Sequence, residues 1–274
     1  MPTPQIDKKE AISTDPLIIG VEALYVATRN AVSVSERNIG KIHTGRQRRS
    51  LYIFSKLIVH NMAIVAIARK FVEETRDTAL LDHFSIGALS RASIDAALMT
   101  MYISEPKLTL ERWDFRRQLL FLHDANNRNR FLKPLKKQGV EFGFYENYDS
   151  IKAGILDRIR VLGATLLYSD EKIAEFEKGL YLFIDGARGA VREAEWDVDF
   201  FDFNQSYLSA YVHSHPVSFM KADEHEVTFA GASKFQIEFC HYVLTMVAEY
   251  TQSVVHRMDT FSVPDRGDPN GHLD

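Results

Sequence analysis

Apolar residues recur at helical spacing through most of the chain, and this periodicity limits the fold more than any other feature. It is clearest between Ser233 and Phe261, where Ser233 and Gln236 form a capping box of the Ser-x-x-Gln type. With 8 proline and 14 glycine among 274 residues, the chain is poor in the turn residues of β-sandwiches and β-barrels. The sequence therefore predicts an all-α protein. The apolar face of the last helix comprises Phe235, Phe239, Tyr242, Val243, Met246, Val247, Tyr250 and Val254.

The chain contains neither an internal repeat nor a linker rich in Pro, Ser or Gly, so we expect one domain. The periodic segments predict a single helical bundle of about seven to nine helices over residues 16–262. Segments 51–68, 85–102 and 233–261 should form its core, with Ile58 and Phe239 buried. Residues 1–15 are predicted to be a flexible tail and residues 263–274 a disordered one.

Composition restricts the location and the chemistry. The single cysteine, Cys240, excludes an internal disulfide framework and fits a reducing cytoplasm. Segment 51–68 is nearly long enough to span a bilayer, but Lys56 lies near its middle, so we expect a buried core helix and no membrane partner. Phosphate-binding loops, dinucleotide fingerprints, zinc-protease motifs and serine-hydrolase motifs are absent from the sequence. We therefore predict no cofactor and no metal site.

Basic residues are concentrated between residues 107 and 137, which include nine Lys and Arg residues and only three acidic ones. The protein as a whole has a net charge of -4. A helix of this composition predicts a phosphate-binding surface. The alternative is a solvated face that pairs with the five acidic residues between Glu193 and Asp202. The candidate nucleic-acid patch comprises Arg112, Arg116, Arg128, Arg130, Lys133, Lys136 and Lys137.

A second candidate site combines two segments. Arg91 and Asp95 lie four residues apart and so share one face of a helix. They could form a polar, ligand-facing cleft with Tyr207, Ser209 and His213, or an ion pair that only fixes helix packing.

These same segments resemble a known family. The family is a bacterial all-helical family of unknown function. Its Arg-x-x-x-Glu element resembles residues 88–95, which are followed by an apolar run and Glu105-Pro106. Its Leu-Ser-x-x-x-His element resembles residues 207–213. Asp95 stands where that family usually has Glu. The resemblance implies an all-α fold but no activity, and it suggests bacterial defence or toxin–antitoxin systems as the context.

That family is in turn loosely similar to the HEPN superfamily of helical bundles, many of which are metal-independent RNases. Their motif is an Arg followed a few residues later by a His. In such chemistry the imidazole moves the proton of the 2′-hydroxyl and the guanidinium stabilises the anionic phosphorane. Two pairs with this spacing are candidates here, Arg37 with His43 and Arg117 with His123.

The sequence thus favours a non-enzymatic or regulatory helical module that binds a protein partner or a nucleic acid, RNA or DNA, through its basic helix. The alternative is a HEPN-like RNase. A third class, a metal-dependent hydrolase at His213, His215 and Asp223, has the weakest basis, because His-x-His directs both rings to one side only in an extended segment. Assembly into a homo-oligomer is compatible with each of them.

Overall fold

The computed structural model describes residues 15–73, 80–139, 147–228, 231–264 and 267–268. Ten helices form within these ranges, and the only β-pairing there is an isolated bridge between Thr228 and Gly231. In chain order the helices are α1 (Asp15–Glu36), α2 (Gly45–Glu73), α3 (His83–Ile103), α4 (Leu110–Lys136), α5 (Tyr148–Thr165), α6 (Asp170–Glu177), α7 (Gly186–Glu193), α8 (Val198–Val212), α9 (Pro216–Glu224) and α10 (Lys234–Phe261).

The all-α prediction is confirmed, but the predicted count of seven to nine helices is too low for the ten in the described ranges. Two short helices explain the difference. Helix α7 lies in a segment with Gly186 and Gly189, and glycine has a low helix propensity. Helix α9 begins at Pro216, and a proline ordinarily marks the end of a preceding helix in a sequence. Proline is well tolerated at the first position of a helix, because its missing N–H needs no partner there.

The main bundle consists of α1, α2, α3, α7, α8 and α10, which share one hydrophobic core. Helix α10 packs along α1 and α3, and α2 packs against α3. Ile58 and Phe239 are buried in this core, as predicted. The capping box of Ser233 and Gln236 is formed at the start of α10. Cys240 is buried as well, and burial raises the pKa of its thiol.

Gly87 sets the close approach of α3 and α8. A Cβ atom at this position would lie 2.9 Å from Cγ of Tyr211, closer than two carbon atoms approach without displacement. The Tyr211 ring fills this space and stacks on Phe239 of α10, with ring centroids 4.8 Å apart. The α3–α8 contact is therefore fixed beside the segment that carries Arg91.

A second layer consists of α4, α5 and α6. Phe115, Leu119 and Ile159 belong to its own small hydrophobic core. Asp114, whose side chain is nearly inaccessible, accepts hydrogen bonds from Arg117, Gln118 and Arg158. This layer therefore combines apolar burial with an internal charge network.

The two layers meet at Arg46, whose side chain is 1% exposed. Its Nε donates a hydrogen bond to the carbonyl oxygen of Ile103 at 2.7 Å, and its guanidinium lies over the ring of Trp113 in α4. Its NH1 lies 3.1 Å from Oδ1 of Asp268, which is equally buried. The predicted disordered tail thus includes a residue that is packed into the protein. Of the predicted N-terminal tail, only Asp15 lies in the described ranges, where it begins α1.

Candidate functional site: a cleft between α3 and α8

The structure brings four of the five residues of the predicted polar cleft together. A cleft of about 320 Å³ lies between α3 and α8. Arg91 and Asp95 line it from α3, and Ser209 and His213 line it from the C-terminal end of α8. Its remaining walls are apolar: Ala88, Leu89, Ala92 and Val212.

Arg91 and Asp95 form an ion pair through NH1 and Oδ2 at the spacing that the sequence indicated. The two partners differ in exposure, because the side chain of Arg91 is 16% exposed and that of Asp95 is 53% exposed. The Nε of Arg91 is shielded from solvent and has no hydrogen-bond partner among the described residues. The pair therefore joins a shielded cation to an anion that water already reaches.

Tyr207, the fifth predicted cleft residue, has a different environment. Its ring packs edge-on against Tyr211 and Phe239 and stacks on Phe203. Its hydroxyl lies 3.4 Å from that of Tyr211. The Tyr207 ring therefore packs between α8 and α10 and does not line the cleft.

His213 and His215 stack with their ring centroids 5.5 Å apart, in the turn that joins α8 to α9. Within the described part of the chain, no three His, Cys, Asp or Glu side chains are arranged to hold a metal ion.

Of the two predicted Arg–His pairs, Arg37 and His43 lie around the C-terminal end of α10. Arg37 forms an ion pair with Asp259, and Nε2 of His43 is 2.8 Å from Oδ1 of Asn38. Asn38 in turn donates a hydrogen bond to the hydroxyl of Ser262. Arg37 and Asp259 also line an open groove of about 390 Å³ between α1 and α10, and His43 does not. His256, which the sequence analysis did not single out, lines the same groove.

Arg117 and His123 point in different directions. Because the two residues are six positions apart on one continuous helix, their side chains differ in direction by about 120°. Arg117 binds the buried carboxylate of Asp114 at 2.8 Å, and His123 forms hydrogen bonds with Asn127. This pair is engaged in separate local contacts and does not meet at one cleft.

The basic residues of α4 divide into two groups. In the N-terminal half, Arg116 is 4% exposed; its NH1 donates to the carbonyl oxygen of Tyr102 and its NH2 contacts Glu193 at 2.5 Å. Arg112 lines a surface cleft together with Glu105, Glu193 and three further charged neighbours. In this half of α4, the structure agrees with the alternative given by the sequence, in which the basic residues pair with acidic residues near position 193. Arg116 does not belong to an exposed patch.

The other half, which we call the basic end of α4, covers residues 125–139 and contains five Lys and Arg residues and no acidic residue. Arg128 pairs with Asp124, one turn earlier. Arg130, Lys133 and Lys137 are exposed, and each lacks an acidic partner among the residues that the structure describes. Their spacing places all three on one face of the helix. Lys136 lies in the same helix, but its side chain is outside the described part.

By length and composition, α1 and α2 are long and apolar enough to cross a membrane: an 18-residue window has a mean hydropathy of 1.3 in α1 and of 1.7 in α2. Both contribute side chains to the main core, including Leu17, Leu24, Phe54 and Leu57. The core helices of soluble proteins pass the same test.

Comparison of the chain with family models, with curated proteins and with solved structures finds no match. The geometry of the chain itself therefore carries the functional argument.

Proposed function

We propose that the chain is a non-enzymatic or regulatory helical module that binds nucleic acid through the basic end of α4. The observation that carries the proposal is the cationic stripe of Arg130, Lys133 and Lys137, which is exposed and lies beyond the last acidic residue of the helix. Its spacing continues the face that is buried in the first half of α4, where Leu119 and Leu122 enter the small core. One helix face thus changes from apolar to cationic where the core ends.

An aromatic ring adjoins this stripe. Phe131 is 63% exposed, and the guanidinium of Arg130 lies 5.0 Å from its ring centroid. Cations that follow a phosphate backbone, together with an exposed ring on which a base can stack, are the common features of single-strand binding surfaces. An acidic protein partner would use the cations but would not need the ring. We therefore favour a single-stranded nucleic acid over a protein.

The proposal places the module in the cytoplasm, without a membrane partner. A single cysteine that lies in the core is in keeping with a reducing compartment. A role in bacterial defence rests on the family resemblance alone.

The experiment is a fluorescence-anisotropy titration of a labelled single-stranded RNA of mixed sequence at low salt. The double variant Arg130→Glu/Lys133→Glu should lose at least about tenfold in affinity, because it reverses two phosphate contacts. Lys56→Glu/Lys70→Glu, which changes two exposed lysines of α2, supplies the same change in net charge elsewhere. Equal losses in both variants, or no RNA binding by the wild type, would contradict the proposal, and binding of an acidic peptide instead would favour a protein partner.

The HEPN-like RNase is the second candidate, and one observation favours it at Arg37 and His43. Arg37, Asn38 and His43 are linked to the same end of α10 through Asp259 and Ser262. We expect such an enzyme to cleave RNA in the presence of EDTA and to lose activity in His43→Ala. His123→Ala is the control and should retain activity. His123 lies in α4, where it contacts Asn127, and Arg37 follows α1. An inert wild type removes this candidate without affecting the binding proposal.

A further inference from the structure

The cleft between α3 and α8 has the composition of a small-molecule site and not that of a nucleic-acid surface. Its volume of about 320 Å³ is at the lower end of the range for ligand pockets. Half of its lining residues are apolar, and its polar groups lie on the two facing helices. Apolar walls that carry a few convergent polar groups are typical of sites that bind small organic molecules.

The two charged residues of the cleft differ in burial. Arg91 is largely buried, so its guanidinium stays in place, whereas Asp95 is more than half exposed. Moving the Asp95 carboxylate fully into water costs little, because most of its hydration is already present. An incoming anion can then replace the Asp95 carboxylate beside the guanidinium of Arg91. Because this guanidinium is partly desolvated, it binds an oxyanion more strongly than an exposed cation does.

Ser209 and His213 supply further donors from the opposite wall. Neither side chain has a hydrogen-bond partner in the described part of the chain, although the backbone N–H of His213 donates to the carbonyl oxygen of Ser209. Their polar atoms are thus available to a ligand that reaches across from Arg91.

We propose that this cleft binds a small organic oxyanion, a carboxylate or a phosphate monoester with a compact apolar body, and that Asp95 competes with the ligand for Arg91. The apolar body rests against Leu89 and Val212, and the oxyanion faces Arg91, Ser209 and His213. This site is separate from the basic end of α4. Its ligand is enclosed between two helices, whereas a nucleic acid would lie along a row of exposed cations.

The test is calorimetric titration of the full chain with four probes: benzoate, phenyl phosphate, neutral benzamide and cationic benzylamine. At least one of the two oxyanions should bind saturably at millimolar concentration, and benzamide should not. Which of the two binds distinguishes a carboxylate ligand from a phosphate ligand. Failure of both oxyanions, or binding of benzylamine alone, would overturn the proposal.

Two substitutions in the cleft should change affinity in opposite directions. Arg91→Lys should weaken oxyanion binding by about tenfold, because an ammonium lacks the planar fork that holds an oxyanion. Asp95→Asn should strengthen it several-fold, because it removes the competing charge. Asp95 is exposed enough that this variant should fold. If the ion pair serves only to fix packing, Asp95→Asn leaves the affinity unchanged or lowers it, and either result contradicts the proposal.

The chain supplies a matched control. Asp124 and Arg128 of α4 also form an ion pair four residues apart, at 2.8 Å, with both partners exposed. Asp124→Asn should leave oxyanion affinity unchanged. It also leaves the charge of the cleft as it is, so an equal gain in Asp124→Asn and Asp95→Asn would show a general charge effect and overturn the assignment. RNA titrations of Asp95→Asn should match the wild type, which separates this site from the proposed nucleic-acid surface.

Discussion

The main bundle and the layer of α4, α5 and α6 are stabilised differently. The main bundle depends on a large apolar core to which six helices contribute. The α4–α6 layer has a small apolar core and adds the network around Asp114. Within this layer, the first half of α4 is packed against its neighbours and the basic end is exposed. The comparison shows that similar basic residues on one helix can have structural or surface roles, depending on which acids the fold places beside them.

Truncation of the cores should have the largest effect and should distinguish the two regions. Phe54 and Phe115 are both 0% exposed, the first in the main bundle and the second in the α4–α6 layer. Either change to alanine should cost about 3–5 kcal/mol. In hydrogen exchange, Phe115→Ala should reduce protection mainly in α4–α6, whereas Phe54→Ala should reduce it throughout the main bundle. Identical protection patterns would show that the two regions unfold as one.

The junction between the regions should be nearly as sensitive. Asp268→Ala leaves Arg46 buried without its carboxylate partner, and breaking a buried pair in this way costs about 3–5 kcal/mol. Asp259→Ala is the control, because its pair with Arg37 is exposed on both sides and should contribute about 0–1 kcal/mol. Urea unfolding of the two variants measures the difference. Equal stability would mean that the buried pair of Arg46 and Asp268 stabilises the fold no more than an exposed pair does.

Acid should weaken the α4–α6 layer through Asp114. Burial by itself raises the pKa of this carboxyl, but hydrogen bonds from Gln118, Arg158 and Arg117 outweigh it and hold the pKa below its usual value. The stabilisation is therefore complete above the unfolded pKa of about 3.9 and is lost as pH falls through the lower folded value.

Asp114→Asn should accordingly destabilise the protein by about 1.5–3 kcal/mol at neutral pH and by less at pH values below the folded pKa. Urea unfolding at both pH values provides the measurement. Asp157→Asn, in an exposed pair with Arg160, should change little at either pH. A deficit in Asp114→Asn that stays constant with pH would exclude the carboxylate as its source.

The helical class and the main core were predictable because they follow from local periodicity. The last helix, its capping box and the burial of Phe239 all depend on residues close together in sequence. The contact of Arg116 with Glu193 was only one of two alternatives, because the partners are 77 residues apart and only the fold brings them together. The same holds for Arg46 and Asp268, for which the sequence provides no signal beyond charge. A charged residue in a segment rich in Pro and Gly is typical of a solvated tail.

The cleft shows the same limit. Spacing placed Arg91 and Asp95 on one face, and the second segment supplied Ser209 and His213, but their meeting depends on the close approach at Gly87. Tyr207 was expected in the cleft and lies behind it, because a helix rotates residues 207 and 209 to different faces. His256 had no local pattern to mark it, since its groove forms only when α1 and α10 pack together.

The salt dependence of RNA binding tests the division of α4 most directly. For a single strand, the slope of log affinity against log salt concentration falls by about 0.7 for each phosphate contact removed. We predict this reduction for Arg130→Gln and for Lys133→Gln, and an unchanged slope for Arg112→Gln, which lies among acidic neighbours in the other half of the helix. Equal slopes in all three variants and the wild type would contradict the account, as would a reduction confined to Arg112→Gln.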